Sequence, residues 1–260
     1  MVSSHQTAAK IVVVTEGGPH IWAIVNTLCE RLGPVEVILE APESKKRLLL
    51  RRARRQGFVS AAGQFATMAL TRLGKRFFAG HAARLIGEED LKTEPAPGQA
   101  ITRVPSANSP ECLARIAAIE PSVVLLAGCR MLSARTLSDI SCPVLNYHAG
   151  ITPKYRGMNG GYWALACGDR ENFGTTVHLV DAGVDTGAPL RQVRGAPKRG
   201  DTIASYALRQ AAFSRNICVE AVADALAGKF ATFDPGLPSR QWFHPTIWSY
   251  VRVGVRRGVW

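Results

Sequence analysis

Apolar positions along this 260-residue chain follow two rhythms. Short dense runs, IVVV at 11–14, VEVIL at 35–39 and VVLLA at 123–127, have the length and branched character of strands buried on both faces. Between them, PHIWAIVNTLCERLG and ECLARIAAIE space their apolar residues three to four apart, as one face of a helix does. The pattern predicts strand, Gly-rich turn and helix from Lys10 to about Gly33, then a strand at VEVILE, 35–40. It predicts helix, Pro-Ser break and strand across Glu111–Gly128, and a helix at SARTLSDI with Ser133 as N-cap. A strand follows at CPVLNYH, 142–148; FGTTVHLV and PLRQVRG are strands around the turn DAGVDTGA, and a long helix runs from Asp201 to about Ala227. Alternation of this kind implies an α/β, doubly wound, mostly parallel Rossmann-like sheet, whose ligand lies beyond the carboxyl ends of the strands. Two segments break it: a basic helical insertion at about 42–90 and a Trp- and Arg-rich tail at about 229–260. The expected organisation is a catalytic domain over 1–200, with a C-terminal helix and tail over 201–260 packed on or beside it.

Composition narrows the class. At 47% apolar and 20% charged, the chain is globular. Six scattered cysteines without a C-x-x-C pair read as buried thiols of a cytoplasmic protein, not as a disulfide framework or zinc site. The apolar run at the N-terminus is too short for a signal peptide, and the longest uncharged stretch, Gly57–Thr71, falls short of a membrane span. EGGP after the first strand lacks the spacing of a dinucleotide or phosphate loop and reads as a strand–helix turn, although Gly17 and Gly18 would let a ligand approach the backbone.

The chemistry concentrates in two stretches. Side chains at i and i+2 of a strand share a face, so Asn146 and His148 project together and Tyr147 points away. That pair is either satisfied inside the core or forms one wall of a site. In HLVDAGVDTG, Asp181 and Asp185 sit in a turn whose Gly183 and Gly187 permit unusual backbone angles. An amide donor, an imidazole and a carboxylate suit acyl transfer to an amine, with donors for a developing oxyanion. His178 alone reads as a satisfied core histidine, and a metal held by His148, His178 and Asp185 is the weaker alternative.

N-x-H, then P-x-Y-R-G, then D-x-G-x-D-T-G, together with VVLLAGCRMLS, resembles the formyltransferases that use 10-formyltetrahydrofolate. The likeness covers roughly residues 10–40 and 100–195. It implies that Asn146 and His148 meet the formyl oxygen and that Asp185 is the catalytic carboxylate, favouring a charged imidazole. It also implies that backbone around Gly128, Arg130, Leu132, Gly183 and Val184 cradles the pterin, and that no metal is needed. Gly17, Gly18, Tyr155 and Asn159 are the expected substrate-facing positions, and Arg156 is expected to tie its loop together. Ala149–Thr152 replaces the family's Pro-Ser-Leu-Leu, and MNGGYW is Gly-rich where relatives carry Pro, which would leave room for a larger acceptor. The tail is too short for the domain that binds initiator tRNA, and TEGGPHIW does not reproduce the purine-pathway phosphate loop. The expected acceptor is therefore a small or carrier-linked amine: an amino sugar of surface polysaccharide first, a modified amino acid second. A 10-formyltetrahydrofolate hydrolase, or a folate- or membrane-binding module without turnover, is the alternative.

Net charge is +12, and residues 41–80 hold ten Lys or Arg against the single acid Glu43. A segment this basic calls for an anion: lipid, a phosphorylated or nucleotide-linked acceptor, or polyglutamylated folate. The corresponding expectation is peripheral contact of 42–80 with the inner membrane face, with nucleic acid disfavoured for want of a stacking platform and a homodimer left open.

Overall fold

The computed structural model describes residues 10–260, apart from the side chains of 75–78. The leader reading at 1–9, and the Lys75 and Arg76 side chains of the basic segment, lie outside the described residues.

The first strand, β1 (Ile11–Thr15), passes through Gly17 and Gly18, with φ of 81° and 108°, into helix α1 (Pro19–Leu32). Pro19 suits the first helical turn because its missing N–H would have had no partner there. After β2 (Val35–Glu40) come the inserted helices α2 (Lys45–Gln56) and α3 (Phe58–Glu88), hinged at Gly57. The alternation resumes with β3 (Ile101–Val104), α4 (Pro110–Ile119), β4 (Val123–Ala127), α5 (Ala134–Ser138) and β5 (Val144–His148). Ser133 caps α5 as expected, accepting the Thr136 N–H. Then follow β6 (Arg156–Gly157), α6 (Gly160–Ala166), β7 (Gly174–Leu179), β8 (Pro189–Arg194), α7 (Tyr206–Leu226), β9 (Gln241–Trp242) and α8 (Ile247–Arg257). Helix α7 starts five residues later than the sequence suggests, because the Asp201 carboxylate is engaged by His81 Nε2 and Arg209 Nε.

Seven strands form one sheet in the order β3-β2-β1-β4-β5-β7-β8; the first five are parallel, β7 runs antiparallel to both its neighbours, and β8 points the same way as the first five. Alternate strand residues feed opposite faces. Ile11, Val13, Val37 and Leu125 pack under α1 and α7, whereas Val12, Val14, Ile38 and Leu126 pack under α4. The inserted hairpin lies against the body at both ends. Leu85 of α3 packs with Ala23 and Leu208, and Trp248 of α8 lies over Gly63. The tail returns to the middle of the chain: β9 pairs with β6, Trp242 stacks on Trp163 at 4.6 Å, and Tyr250 and Val259 join a cluster with Tyr162 and Phe173.

Among the described residues no helix is long and apolar enough to cross a membrane. The thiols are less uniform than expected. Cys112 and Cys218 are buried, but Cys167 is exposed.

Candidate active site

Strand β5 ends where the sheet turns antiparallel, and its last residues carry the predicted pair. Tyr147 faces α7, its hydroxyl 3.0 Å from Ser214 Oγ, while Asn146 and His148 face the turn after β7. Asp185 comes from that turn with φ at 49°, in the left-handed region. Gly183 and Gly187 take no positive φ, contrary to expectation, and serve close approach, since a Cβ at Gly187 would run into the Leu179 carbonyl oxygen. Antiparallel register sets His178 opposite Asn146.

The carbonyl of Leu179 lies 2.6 Å from His178 Nδ1 and can only accept, so that nitrogen carries the proton. His178 Nε2 then accepts from Asn146 Nδ2 at 3.1 Å, and the other amide hydrogen goes to Asp185 Oδ1 at 3.1 Å. His148 Nε2 donates to the Tyr155 carbonyl at 2.7 Å, and its Nδ1 lies 3.4 Å from Asp185 Oδ2. Both ring nitrogens of His148 thus face oxygen acceptors. Asp185 Oδ2 also receives the Gly157 N–H at 2.8 Å. Burial by itself would raise the Asp185 carboxyl. The His148 charge and the Gly157 N–H outweigh it and hold the carboxyl well below the usual carboxylate range. The result is an anchored carboxylate beside two histidines and an amide. A carbonyl oxygen entering here shares donors that Asp185, His178 and Tyr155 already engage.

His178 is satisfied, as expected, but through the site itself, so the sequence reading missed its place. The missing signal was strand pairing: only the register of β5 with β7 reveals it. Glu40 was missed too. Its side chain is fully buried, with Oε1 accepting the Arg130 N–H at 2.5 Å and Oε2 accepting Arg130 Nε at 2.7 Å and Ala107 N–H at 2.9 Å.

Glu40 bears on the expected pterin cradle. The N–H groups of Arg130 and Gly183 are unavailable to a ligand, the second being donated to Asp181 at 3.0 Å. The carbonyls of Gly128 and Val184 accept from Glu16 N–H and Arg156 Nη1, yet each keeps a second lone pair. Arg156 therefore ties its loop as predicted. Leu132 is buried in the core under α4. The Glu16–Gly128 bond also places the Gly17–Gly18 turn beside Gly128, although Gly17 N–H is spent on Thr15 Oγ1 at 2.8 Å.

Tyr155 corrects the sequence reading. Its ring is 1% exposed and its hydroxyl donates to Asp169 at 2.6 Å, so it holds the loop and presents no side-chain surface to a substrate. Asn159 keeps its candidacy: its Nδ2 and the Tyr162 hydroxyl are buried without partners among the described residues. Both residues line a cavity of about 110 Å³ with Ala149, Tyr206 and Gln210. Gly161 of MNGGYW lines this cavity too, whereas Gly150 and Gly160 serve backbone contact. A Cβ at Gly150 would lie 2.7 Å from His148 Nε2, and one at Gly160 2.6 Å from Gly150 Cα, so they let backbones pack together. Among the described residues no group of three His, Cys, Asp or Glu is placed to hold a metal.

A sequence model of the family described as "Formyl transferase" matches residues 9–222. The chain is 33% identical over 126 residues to a methionyl-tRNA formyltransferase of Koribacter versatilis, covering 48% of this chain and 40% of that relative. It is 40% identical over 111 residues to a phosphoribosylglycinamide formyltransferase of Mycobacterium tuberculosis, covering 42% and 51%. The chain thus spans about half or less of the length of these relatives. Its fold is similar to glycinamide ribonucleotide transformylase 1 of Symbiobacterium toebii, with TM-score 0.57, 22% identity and 91% and 94% of the two chains covered. It is also similar to a sugar N-formyltransferase of a Shewanella species, with TM-score 0.57, 15% identity and 90% and 76% covered.

Proposed function

The chain belongs to the formyl transferase family, and on that footing we propose that it moves a formyl group from 10-formyltetrahydrofolate to a primary amine. One observation carries the reading: Asp185 lies 3.1 Å from Asn146 Nδ2 and 3.4 Å from His148 Nδ1, so all three groups meet at one point. The amine nitrogen attacks the formyl carbon and a C–N bond forms. The carbonyl oxygen becomes an alkoxide, which the Asn146 amide and the His148 ring stabilise. The bond from carbon to the folate nitrogen then breaks, and the proton lost by the amine ends on that nitrogen, passed through a water that Asp185 is placed to orient. The Gly128–Leu132 loop and the 181–185 turn would hold the pterin, through the carbonyls of Gly128 and Val184 that retain a lone pair.

The acceptor we favour is an amino sugar linked to a nucleotide or lipid carrier, with a modified amino acid second. The turn at Gly17 and Gly18 does not offer the Gly17 N–H to a phosphate, because Thr15 Oγ1 already accepts it. The test is to incubate the purified protein with 10-formyltetrahydrofolate and a panel of amines, following release of tetrahydrofolate. Amine-dependent release supports transfer, and amine-independent release makes the protein a hydrolase. His148→Ala and Asp185→Asn should each lower turnover by about 100-fold or more with the fold retained. Near-normal turnover by either variant would sink the assignment.

A further inference from the structure

Arg52 differs from the rest of its helix. Lys45, Lys46, Arg47, Arg51, Arg54 and Arg55 of α2 are exposed, whereas Arg52 is 7% exposed. Among the described residues no carboxylate bonds to it. Nη1 lies 3.5 Å from Met68 Sδ, Nη2 lies 3.5 Å from Met158 Sδ, and the Phe65 ring centre is 5.8 Å from the guanidinium carbon. Glu43, whose charge reaches Arg52, is bonded to Arg51 at 2.6 Å. Thioethers are weak acceptors, and a buried guanidinium is stable only beside an anion or strong acceptors. Burial first, and the Arg51 charge second, push Arg52 below its ordinary value.

Its position gives this frustration a direction. Met158 follows Gly157, whose N–H holds Asp185 Oδ2, so Arg52 flanks the site through a single residue. This approach runs along β6 and β9, not along the Gly128–Leu132 loop. Both sulfur partners sit on flexible unbranched side chains that can swing aside for a ligand.

We propose that Arg52 anchors a phosphate group of the amine acceptor, in a subsite between α2, α3 and the Met158 turn. The fork of a guanidinium matches two phosphate oxygens, and the exposed cations of α2 draw a polyanion toward it. The word acceptor rests on the formyl-transfer reading; the anion does not.

Inorganic pyrophosphate is the probe, with calorimetric binding and thermal unfolding measured on wild type, Arg52→Met and Arg52→Lys. Pyrophosphate should bind and stabilise wild type, and Arg52→Met should weaken binding by about 10- to 100-fold. The ligand-free Arg52→Met variant should also unfold about 2 °C or more higher, because an unpaired buried charge is gone. A purely structural arginine predicts the reverse. Should the methionine variant fail to fold, Arg52→Lys, which keeps the charge but loses the fork, must still bind pyrophosphate more weakly than wild type. Absent or unaltered pyrophosphate binding overturns the proposal, as does a lower unfolding temperature for folded Arg52→Met or binding to anionic vesicles alone. A preference for triglutamyl over monoglutamyl folate that Arg52→Met abolishes, without pyrophosphate binding, moves the anion to the folate and overturns it too. Folate binding by wild type is measured separately, so failure of the family reading is told apart from failure of this one.

Discussion

Asp185 shows how one residue joins chemistry to stability. Its folded-state carboxyl titrates well below the ordinary value, because the His148 charge and the Gly157 N–H outweigh burial. The sign of the linkage follows. The stabilisation is fully present above the unfolded value near pH 4 and fades as pH falls through the lower folded value. Asp185→Asn should therefore cost on the order of 2 kcal/mol at neutral pH, and the gap from wild type should close as pH drops from about 5 towards 2. Urea unfolding across that range checks this; a gap that stays constant assigns the loss to packing instead. Asn146, His148 and Asp185 were legible in the chain because i, i+2 spacing and a Gly-flanked acid are local signals. His178 and Glu40 were not, because their partners arrive from 32 and 90 residues away through strand pairing and loop closure.

At the scale of elements, the carboxyl ends of the strands are laced together by buried polar side chains. Glu40, last in β2, holds both the loop after β3 and the loop after β4. Glu40→Gln removes the charge that pairs with Arg130 and should destabilise the protein by about 2–3 kcal/mol. It should also weaken folate binding more than it slows turnover of bound folate, seen as a larger change in KM than in kcat. Equal effects on both would show that Glu40 does not position the Gly128–Leu132 loop for folate. The parallel strands were readable from sequence, since burial on both faces makes their runs densely apolar. Strand direction after β5 was not, as periodicity is the same whichever way a strand runs. The two-residue bridges β6 and β9 are too short to leave a pattern.

For the whole molecule, the tail completes the centre. Trp242 pairs beside Gly157, stacks on Trp163 and donates its indole N–H to the Lys154 carbonyl, while the Gly157 N–H holds Asp185. Trp242→Ala should cost about 2–4 kcal/mol and lower turnover although no tail residue touches the three candidate catalytic groups. Limited proteolysis should then cut first within 229–260; an unchanged cleavage pattern would mean the tail is held from elsewhere. The basic segment was plain in the sequence as a charge run, but the one buried cation among its described side chains, Arg52, was not, because burial there depends on α3, Met158 and the fold of the hairpin.

That hairpin leaves the sheet after β2 and rejoins it at β3, the edge strand, so no central strand is threaded through it. Its length and composition can drift without altering the register that brings Asn146, His148 and Asp185 together. Changes in α2 and α3 can accumulate while the turn that carries Asp185 stays constant, which makes this edge the exchangeable part of the molecule.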